Sequence, residues 1–255
     1  LSNVPPPLKT SKDTYIYFQN ALYFSDQGVN NSLKNKFLFK LKGLYIKFLN
    51  KDSYNWYAQN EITAEKLNFF LGSVGNLITL APIFNTKYTP RIPFKREGFI
   101  YPCNSLPHKN INRLINSFIE ASKETDKKII LKLTIKESEL TNALNYPNNL
   151  KIFFLGKISH AELINEYYMS KALIYPSLVE SFGLPIVESI YCGCKVIASD
   201  LPYVKSIVDA NDYFNPLSVF EIKNCILKFL NSQDSNFPKL KIKNSINIIF
   251  NKILC

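Results

Sequence analysis

Apolar runs and helical patterns alternate along most of the chain. Runs typical of strands occupy 14–18, 55–59, 77–82, 98–102, 129–135, 151–156, 172–177 and 195–199. Between them, apolar residues recur at the three- and four-residue spacing of helices, at 33–50, 61–71, 109–123, 160–170, 184–192, 202–208 and 218–231. A last helix is predicted over 240–254. This alternation predicts α/β units on parallel sheets, and the nearly continuous apolar character of the later strands predicts helices on both faces.

The segment 85–98 interrupts this alternation with two prolines and charges of both signs. We therefore predict a first domain over 1–92, a second over 93–235 and a C-terminal helix within 236–255 that returns toward the first. The second predicted domain contains enough strand–helix repeats for a complete open α/β domain, whereas the first contains only about three strands. The chain begins with Leu1 rather than Met, so both a processed protein and a piece of a longer one are open.

Composition narrows the class of protein. The chain has 255 residues, of which 46% are hydrophobic, and a net charge of +11, as expected of a basic globular protein. Its basic residues are nearly all lysine, whereas proteins that recognise bases rely on arginine. We therefore expect phosphate or membrane attraction and no nucleic-acid partner, although an AT-rich genome alone would also produce this composition. No apolar run reaches the ~18 residues of a membrane-spanning helix.

The cysteines and histidines do not form a metal-binding pattern. Five cysteines (Cys103, Cys192, Cys194, Cys225 and Cys255) lack the spacing of a disulfide framework or a zinc site, and the two histidines have no helical His partner. We expect free, buried thiols, a reducing cytoplasmic location and no metal cofactor.

The stretch 172–200 carries the clearest chemistry. A strand ends at Ser177, a short loop follows, and Gly183 precedes a helix with Pro185 in its first turn. A helix that starts at the carboxyl end of a parallel strand attracts anions, and phosphate above all. Glu180 and Glu188 flank this start; because carboxylates repel phosphate, they suit vicinal sugar or ribose hydroxyls instead. Together these features predict a nucleotide-sugar cleft.

The run PSLVESFGLPIVESIYCGCKVIASD resembles the donor-site signature of GT-B fold retaining glycosyltransferases of family 4, also called glycosyltransferases group 1. The resemblance implies two Rossmann-like domains with parallel sheets, of which the N-terminal one looks incomplete here. It also implies that Glu180 lies near the donor sugar's hydroxyls and that Glu188 binds the nucleotide ribose. The backbone around Phe182, Gly183 and Leu184 is then expected at the junction of phosphate and sugar.

A second segment, 99–118, supports the resemblance. His108, Lys109 and Asn110 fall where the family usually places a basic pair for the donor diphosphate, and their form resembles enzymes of O-antigen and other surface-polysaccharide pathways. The usual arginine is missing from this loop. Lys109 is the expected phosphate ligand, with an ordinary solvated lysine as the alternative. His108 is open between a donor contact and a packing role, and the backbone of Ile158 is expected near the base.

Two features have a plain structural alternative. Ser159 and Glu162 form a predicted capping box, so His160 is interpreted as a first-turn helix residue with a structural role. Residues 34–51 combine a row of lysines with a broad apolar face, which suits an anionic membrane surface. The alternative is a helix packed on its sheet with a solvated lysine edge.

The resemblance leads to a functional hypothesis with two alternatives. The protein is expected to transfer a sugar, with retention, from a nucleoside-diphosphate donor to a glycan or lipid-linked acceptor, on the inner face of the cytoplasmic membrane. Glu180 and Lys109 would act at the reacting centre. The alternatives are an inactive remnant that binds nucleotide or membrane, favoured by the missing arginine and short first domain, and a GT-B nucleotide-sugar epimerase.

Overall fold

The chain forms two compact units. The computed structural model describes residues 3–7, 14–19, 33–72, 78–85, 95–140, 145–232, 236–247 and 250–251. Unit 1 comprises Leu1–Asn85, Val179–Phe182 and Ile242–Cys255, and unit 2 comprises Thr86–Leu178 and Gly183–Lys241. Val179–Phe182, which lie within the second domain predicted from the sequence, thus cluster with unit 1. Among the described residues, no helix is long and apolar enough to cross a bilayer.

Unit 1 is built on a three-stranded parallel sheet. Its strands β1 (Tyr15–Phe18), β2 (Asn55–Ala58) and β3 (Ile78–Leu80) pair in that order. Helices α1 (Leu33–Leu49) and α2 (Glu61–Leu71) join them. Apolar side chains from the first two strands and both helices form the buried core; they are Ile16, Phe18, Ile46, Tyr54, Trp56 and Leu67.

Local signals set both ends of α2. The side-chain oxygen of Asn60 accepts a hydrogen bond from the Thr63 backbone N–H at 2.8 Å, which satisfies one of the first free donors of the helix. At the other end, Gly72 adopts the left-handed conformation (φ 65°), and its N–H donates to the carbonyls of Asn68 and Phe69. The predicted helix 61–71 is confirmed.

Helix α1 packs through a narrow seam. Gly43, Ile46 and Leu49 are buried. Gly43 lies against the Phe70 ring, so closely that an added Cβ would be 3.2 Å from it. The broad apolar face that the sequence projection identified is instead largely exposed; its exposed members are Phe37, Leu38, Leu41, Leu44, Tyr45 and Phe48. The broad apolar face therefore does not pack onto the sheet.

Unit 2 contains a six-stranded parallel sheet. Its strands are β4 (Phe99–Tyr101), β5 (Ile129–Leu133), β6 (Leu150–Phe154), β7 (Ala172–Tyr175), β8 (Lys195–Ser199) and β10 (Asp212–Phe214). They pair in the order β10–β8–β7–β4–β5–β6. Every residue of β7 is buried, as expected of a central strand covered on both faces. The parallel α/β architecture predicted from the sequence is confirmed.

Helices connect these strands. They are α3 (Ile111–Lys123), α4 (His160–Met169), α5 (Leu184–Tyr191), α6 (Pro202–Lys205) and α7 (Val219–Asn231). The predicted capping box at α4 is present: Ser159 Oγ accepts from the Glu162 N–H, and the Glu162 carboxylate accepts from the Ser159 N–H at 2.7 Å. Short 3₁₀ turns cover Pro107–Lys109 and Glu137–Glu139.

Two predicted helices are shorter than expected. The helix predicted over 202–208 stops at Lys205, and the chain continues into strand β9 (Val208–Asp209). The helix predicted over 240–254 starts later, because Lys239–Leu240 form strand β11, antiparallel to β9. The Lys241 N–H then bonds to the Ile207 carbonyl, and Lys241 forms an ion pair with Asp209 at 2.7 Å. Of the residues beyond, 246–247 and 250–251 are helical.

The Arg96 guanidinium joins the carboxyl ends of α4 and α5. It donates to the Cys192 carbonyl at 2.6 Å and to the carbonyls of Ser170 at 3.2 Å and Tyr167 at 3.4 Å. A guanidinium supplies several donors in one rigid fork, which lets one side chain satisfy carbonyls from two helices. Nearby, burial raises the pKa of the Cys194 thiol to about 12 and that of Cys192 to about 11, so both stay neutral thiols.

We expect Arg96→Lys to lower the free energy of unfolding by about 1–3 kcal/mol, because an ammonium cannot reach the same three carbonyls and leaves buried acceptors unsatisfied. Urea denaturation of both proteins measures the difference. Lys95→Ala is the matched control, since its ion pair with Glu97 is exposed and contributes little. Equal stability of the Arg96→Lys and Lys95→Ala variants would show that the hydrogen bonds of the Arg96 guanidinium do not stabilise the fold.

Candidate functional site

The strand order of unit 2 reverses at β4. The chain runs from β4 to β5 and β6 on one side, then returns to β7 on the other side of β4 and continues to β8 and β10. At such a reversal, the loops that follow the two central strands diverge and leave a crevice at their carboxyl ends. Ligands of open α/β sheets bind in this crevice. The loop after β4, which carries His108, Lys109 and Asn110, and residues 176–178 after β7 both lie at this edge.

A hydroxyl network joins the two loops. The Tyr101 hydroxyl bonds to Ser177 Oγ at 2.7 Å and donates to the Lys109 carbonyl at 3.0 Å. The Ser177 carbonyl in turn accepts from Tyr203 Oη at 2.7 Å and from Ser199 Oγ at 3.1 Å. Tyr101, Ser177 and Ser199 are fully buried. Buried networks of satisfied polar groups hold backbone in one arrangement, and this one fixes the backbone at Lys109.

The Asn110 side chain links the loop after β4 to the loops that contain Pro176 and Pro216. It adopts the left-handed conformation (φ 59°) at the start of α3. Its side-chain amide donates to the Pro216 carbonyl at 2.6 Å and to the Pro176 carbonyl at 3.2 Å, and its oxygen accepts from Arg113. Both amide hydrogens are therefore used within the protein. The structure assigns Asn110 a loop-holding role, while the predicted contact with the donor stays a prediction.

Lys109 and His108 lie within this fixed loop. His108 is buried, and its carbonyl accepts from the Leu178 N–H at 2.8 Å, which links the loops after β4 and β7 a second time. Lys109 is half-buried. Burial raises the pKa of the neighbouring Cys103 thiol to about 12, against the opposing field of the Lys109 ammonium. Lys109 lies in the turn that follows β4, so the cation is at the carboxyl edge of the sheet, where the sequence predicts a diphosphate.

Helix α5 starts at the same edge. Gly183 precedes it in the left-handed conformation (φ 79°), and Pro185 lies in its first turn. An added Cβ at Gly183 would be 3.3 Å from Ile186 Cδ1, so glycine suits both the backbone angle and the space. The helix begins where the sequence predicts, and such an amino terminus favours an anion, while the donor contacts of Gly183 and Leu184 stay predictions.

Glu188 lies one turn inside α5 and is almost fully buried. Its Oε1 lies 2.8 Å from Nε2 of His160, the first residue of α4. Its Oε2 accepts a hydrogen bond from the Tyr167 hydroxyl at 3.3 Å. Burial and the Glu188 charge raise the pKa of Tyr167 well above its ordinary value, so the phenol remains a donor. Internal hydrogen bonds thus orient the Glu188 carboxylate as an acceptor near the carboxyl edge of the sheet, where the sequence predicts ligand binding.

The contact of the His160 ring with Glu188 was not predicted from the sequence. The capping box explains why His160 begins a helix, and that prediction is confirmed, but the box says nothing about where the ring points. One signal was available: α4 follows β6 and α5 follows β7, so the first turns of both helices lie at the carboxyl edge of one parallel sheet. Contact between these turns follows only from how the two helices pack.

The remaining predicted residues divide between the units. Ile158 is half-buried in the loop before α4. Phe182 belongs to unit 1, where it is buried and stacks on Phe84 with ring centroids 6.1 Å apart. Beside it, the Ser181 carbonyl accepts from Asn60 Nδ2 at 2.7 Å. Glu180 lies in the same segment and is half-buried. The donor contacts assigned to Ile158, Glu180 and Phe182 stay predictions.

Potential metal ligands are scattered. Among the described residues, no group of three or more His, Cys, Asp and Glu side chains is placed to hold an ion.

A helix amino terminus, a lysine and an oriented carboxylate lie at the carboxyl edge of a doubly wound parallel sheet, which is where proteins of this architecture bind ligands. The fold is that of GT-B glycosyltransferases. The chain belongs to the family of glycosyl transferases group 1, whose model matches residues 88–245.

Two bacterial mannosyltransferases are among the proteins similar to the chain. It is 27% identical over 135 residues to the serotype-specific mannosyltransferase WbdA of Escherichia coli, an alignment that covers 50% of this chain and 17% of WbdA. It is 30% identical over 132 residues to the O-antigen chain mannosyltransferase RfbU of Salmonella typhimurium, covering 48% of this chain and 35% of RfbU. The match therefore spans at most about a third of either relative.

The solved structure of TarM has the same fold. It superposes with a TM-score of 0.60 at 17% identity, over 86% of this chain and 43% of TarM.

The Tyr101 network predicts a stability difference between two tyrosines of unit 2. Tyr101→Phe removes a hydroxyl that bonds to Ser177 and Lys109, so we expect the free energy of unfolding to fall by about 1–2 kcal/mol in urea denaturation. The control is Tyr146→Phe, because the buried Tyr146 hydroxyl has no hydrogen-bond partner in the described part of the chain. A loss that is equal in both variants would contradict the network's role.

Proposed function

We propose that this chain forms the donor-binding part of a retaining glycosyltransferase of family 4. It would bind a nucleoside-diphosphate sugar and transfer the sugar to a hydroxyl of a glycan or lipid-linked acceptor. The pathway would be assembly of a bacterial surface polysaccharide such as O-antigen, lipopolysaccharide or capsule. The alignment with relatives covers only part of their length, so the activity of the whole protein belongs to this proposal.

One observation carries the proposal: two elements that favour an anion and one that favours hydroxyls meet at the carboxyl edge of one sheet. The amino terminus of α5 and the loop of Lys109 supply positive potential. Glu188 supplies an acceptor that internal hydrogen bonds hold in place. A nucleoside diphosphate presents the complementary pair of groups, a diphosphate and a ribose with vicinal hydroxyls.

The same elements suit the chemistry of glycosyl transfer. As the bond between sugar and phosphate breaks, negative charge grows on the departing diphosphate and the sugar becomes oxocarbenium-like. Lys109 and the α5 amino terminus would stabilise the growing charge without a metal, because fixed dipoles and cations act strongly where water is excluded. By resemblance, Glu180 would orient the donor sugar, and Phe182, Gly183 and Leu184 would line the junction of sugar and phosphate.

The relatives favour mannose as the first sugar to test. WbdA and RfbU are both described as mannosyltransferases, and RfbU as one that acts on the O-antigen chain. We therefore propose a mannosyl donor, with a nucleoside diphosphate leaving group. The acceptor would be a growing glycan.

Donor turnover tests the proposal. The chain is incubated with GDP-mannose, and in parallel with UDP-sugars, in the presence of a bacterial membrane extract, and the released nucleoside diphosphate is measured against a blank without protein. We expect release from one donor and incorporation of its sugar into extract glycans with the anomeric configuration kept. No release from any donor, together with measurable nucleotide binding, would overturn the transferase in favour of a binding protein. Conversion of the donor to its epimer would indicate an epimerase.

Two substitutions test the assigned residues. Lys109→Ala is expected to lower kcat/KM for the donor about 100-fold, because one charge-stabilising group at the leaving phosphate is lost. Glu188→Gln is expected to lower it about 10–100-fold, because a charged acceptor of hydroxyl hydrogen bonds becomes neutral. Lys123→Ala is the matched control, since its ion pair with Glu120 on α3 is exposed. Wild-type turnover by both site variants would refute the assignment.

A second proposal concerns α1, which we propose binds an anionic membrane surface. Six of its apolar side chains are exposed, with Phe48 at 77% and Leu44 at 64%. Exposed lysines at Lys40, Lys42 and Lys47 are interspersed among them. Apolar side chains that enter the lipid interface, beside cations that attract anionic headgroups, are the requirements of a helix that lies on a membrane.

Flotation with lipid vesicles tests this surface. We expect binding to vesicles that contain phosphatidylglycerol and about tenfold weaker binding for Phe48→Ser, because a large apolar contact with lipid is lost. Phe220→Ser is the matched control, an equally large exposed side chain on α7. Equal binding of the two variants, or of vesicles with and without phosphatidylglycerol, would contradict the proposal. Self-association that Phe48→Ser abolishes would instead identify a second copy as the occupant of this face.

A further inference from the structure

We propose that His160 is a positioning residue that, with Tyr167, presents the Glu188 carboxylate to a pair of vicinal hydroxyls on the donor. This inference rests on the proposed function and names how one part of its site is built. His160 would act through Glu188 rather than on the reacting atoms.

The two donors engage different oxygens of the carboxylate. His160 Nε2 lies 2.8 Å from Oε1, and the Tyr167 hydroxyl lies 3.3 Å from Oε2. A carboxylate has about four acceptor positions, two on each oxygen. One internal donor per oxygen leaves one acceptor position on each, which is the arrangement that two neighbouring hydroxyls require. A carboxylate that rotated freely would not present both at once.

Both donors come from one face of α4. Residues 160 and 167 are seven apart, about two helical turns, so their side chains point the same way. Ser159 and Glu162 are occupied with each other in the capping box, which fixes the start of the helix and leaves the His160 ring directed at α5. Arg96 joins the far ends of the same two helices. The spacing between the Glu188 oxygens and their two donors is thus set by the α4–α5 pair.

Exposure separates the roles of the two donors. Tyr167 is fully buried behind Glu188, whereas the His160 side chain is 58% exposed and that of Glu188 only 11%. The ring is therefore open to solvent beside the carboxylate, whereas the phenol is not. Because the Glu188 carboxylate is nearly buried, loss of the imidazole donor also lowers stability, so the effect on a ligand is compared with the unfolding free energy of each variant.

Nucleotide binding with and without ribose hydroxyls tests the inference. Titration calorimetry on the full chain measures dissociation constants for GDP, UDP and the 2′,3′-dideoxy form of the tighter binder. We expect the dideoxy form to bind unaltered protein about tenfold more weakly, because hydrogen bonds to Glu188 are lost. We expect His160→Ala to weaken binding of the complete nucleotide several-fold and to leave binding of the dideoxy form within about twofold.

His160→Gln and Lys157→Ala complete the design. The Gln side chain retains an N–H donor, so we expect it to restore most of the preference for the hydroxylated nucleotide. Lys157 is an exposed residue of the loop before α4. We expect Lys157→Ala to change the binding of both nucleotides equally, if at all. Steady-state kinetics should place the His160→Ala effect on the donor KM, with kcat changed less than about threefold. Urea denaturation confirms that each variant is folded.

The outcomes separate the two proposals. If neither GDP nor UDP binds the unaltered chain, or if Glu188→Gln leaves hydroxyl preference intact, the proposed donor site is wrong and His160 has no carboxylate to position. If Glu188→Gln loses the preference but His160→Ala keeps it, the donor site stands and the positioning role is overturned. A His160→Ala effect that is equal for both nucleotides also overturns it, because that result indicates a general structural role.

Discussion

The reversal of strand order at β4 is the constraint on which the rest of unit 2 depends. Because β5 and β7 flank β4 on opposite sides, the loops that follow β4 and β7 diverge at the carboxyl edge of the sheet. His108, Lys109 and Asn110 lie on the loop after β4, and the helix that carries Glu188 begins after the loop that follows β7. Tyr101, at the end of β4, holds the arrangement by bonding to both loops from a fully buried position.

The packing of α4 on α5 is the second constraint, because it determines which groups surround Glu188. The anion-favouring terminus of α5 needs only local features, a left-handed glycine and an early proline. The carboxylate of Glu188 needs a neighbour, because a buried charge that lacked hydrogen-bond donors would be costly. His160 and Tyr167 supply those donors from α4, and Arg96 joins the carboxyl ends of both helices. Stability and the proposed binding of donor hydroxyls therefore depend on the same pair of helices.

Much of this was accessible from the sequence because it depends on short-range signals. Apolar periodicity located the principal strands and helices, and the capping box at Ser159 and the turn at Gly183 appear as expected. Strands β9, β10 and β11 were not predicted, because two or three residues carry no periodicity, and the pairing of β11 with β9 explains why the helix predicted from 240 starts later. His160 and Glu188 are 28 positions apart in sequence, and their contact depends on the packing of two helices, which no local pattern encodes.

The buried face of helix α1 was also not predictable from a local pattern. A helical projection favours burial of the broadest apolar face, yet the structure buries the narrow seam of Gly43, Ile46 and Leu49. Glycine at 43 allows the Phe70 ring to approach the helix backbone closely, which a larger side chain would prevent. Burial here follows shape rather than total apolarity, since close packing requires matched surfaces. The apolar face is then left exposed among lysines, and the membrane proposal rests on this combination rather than on apolarity alone.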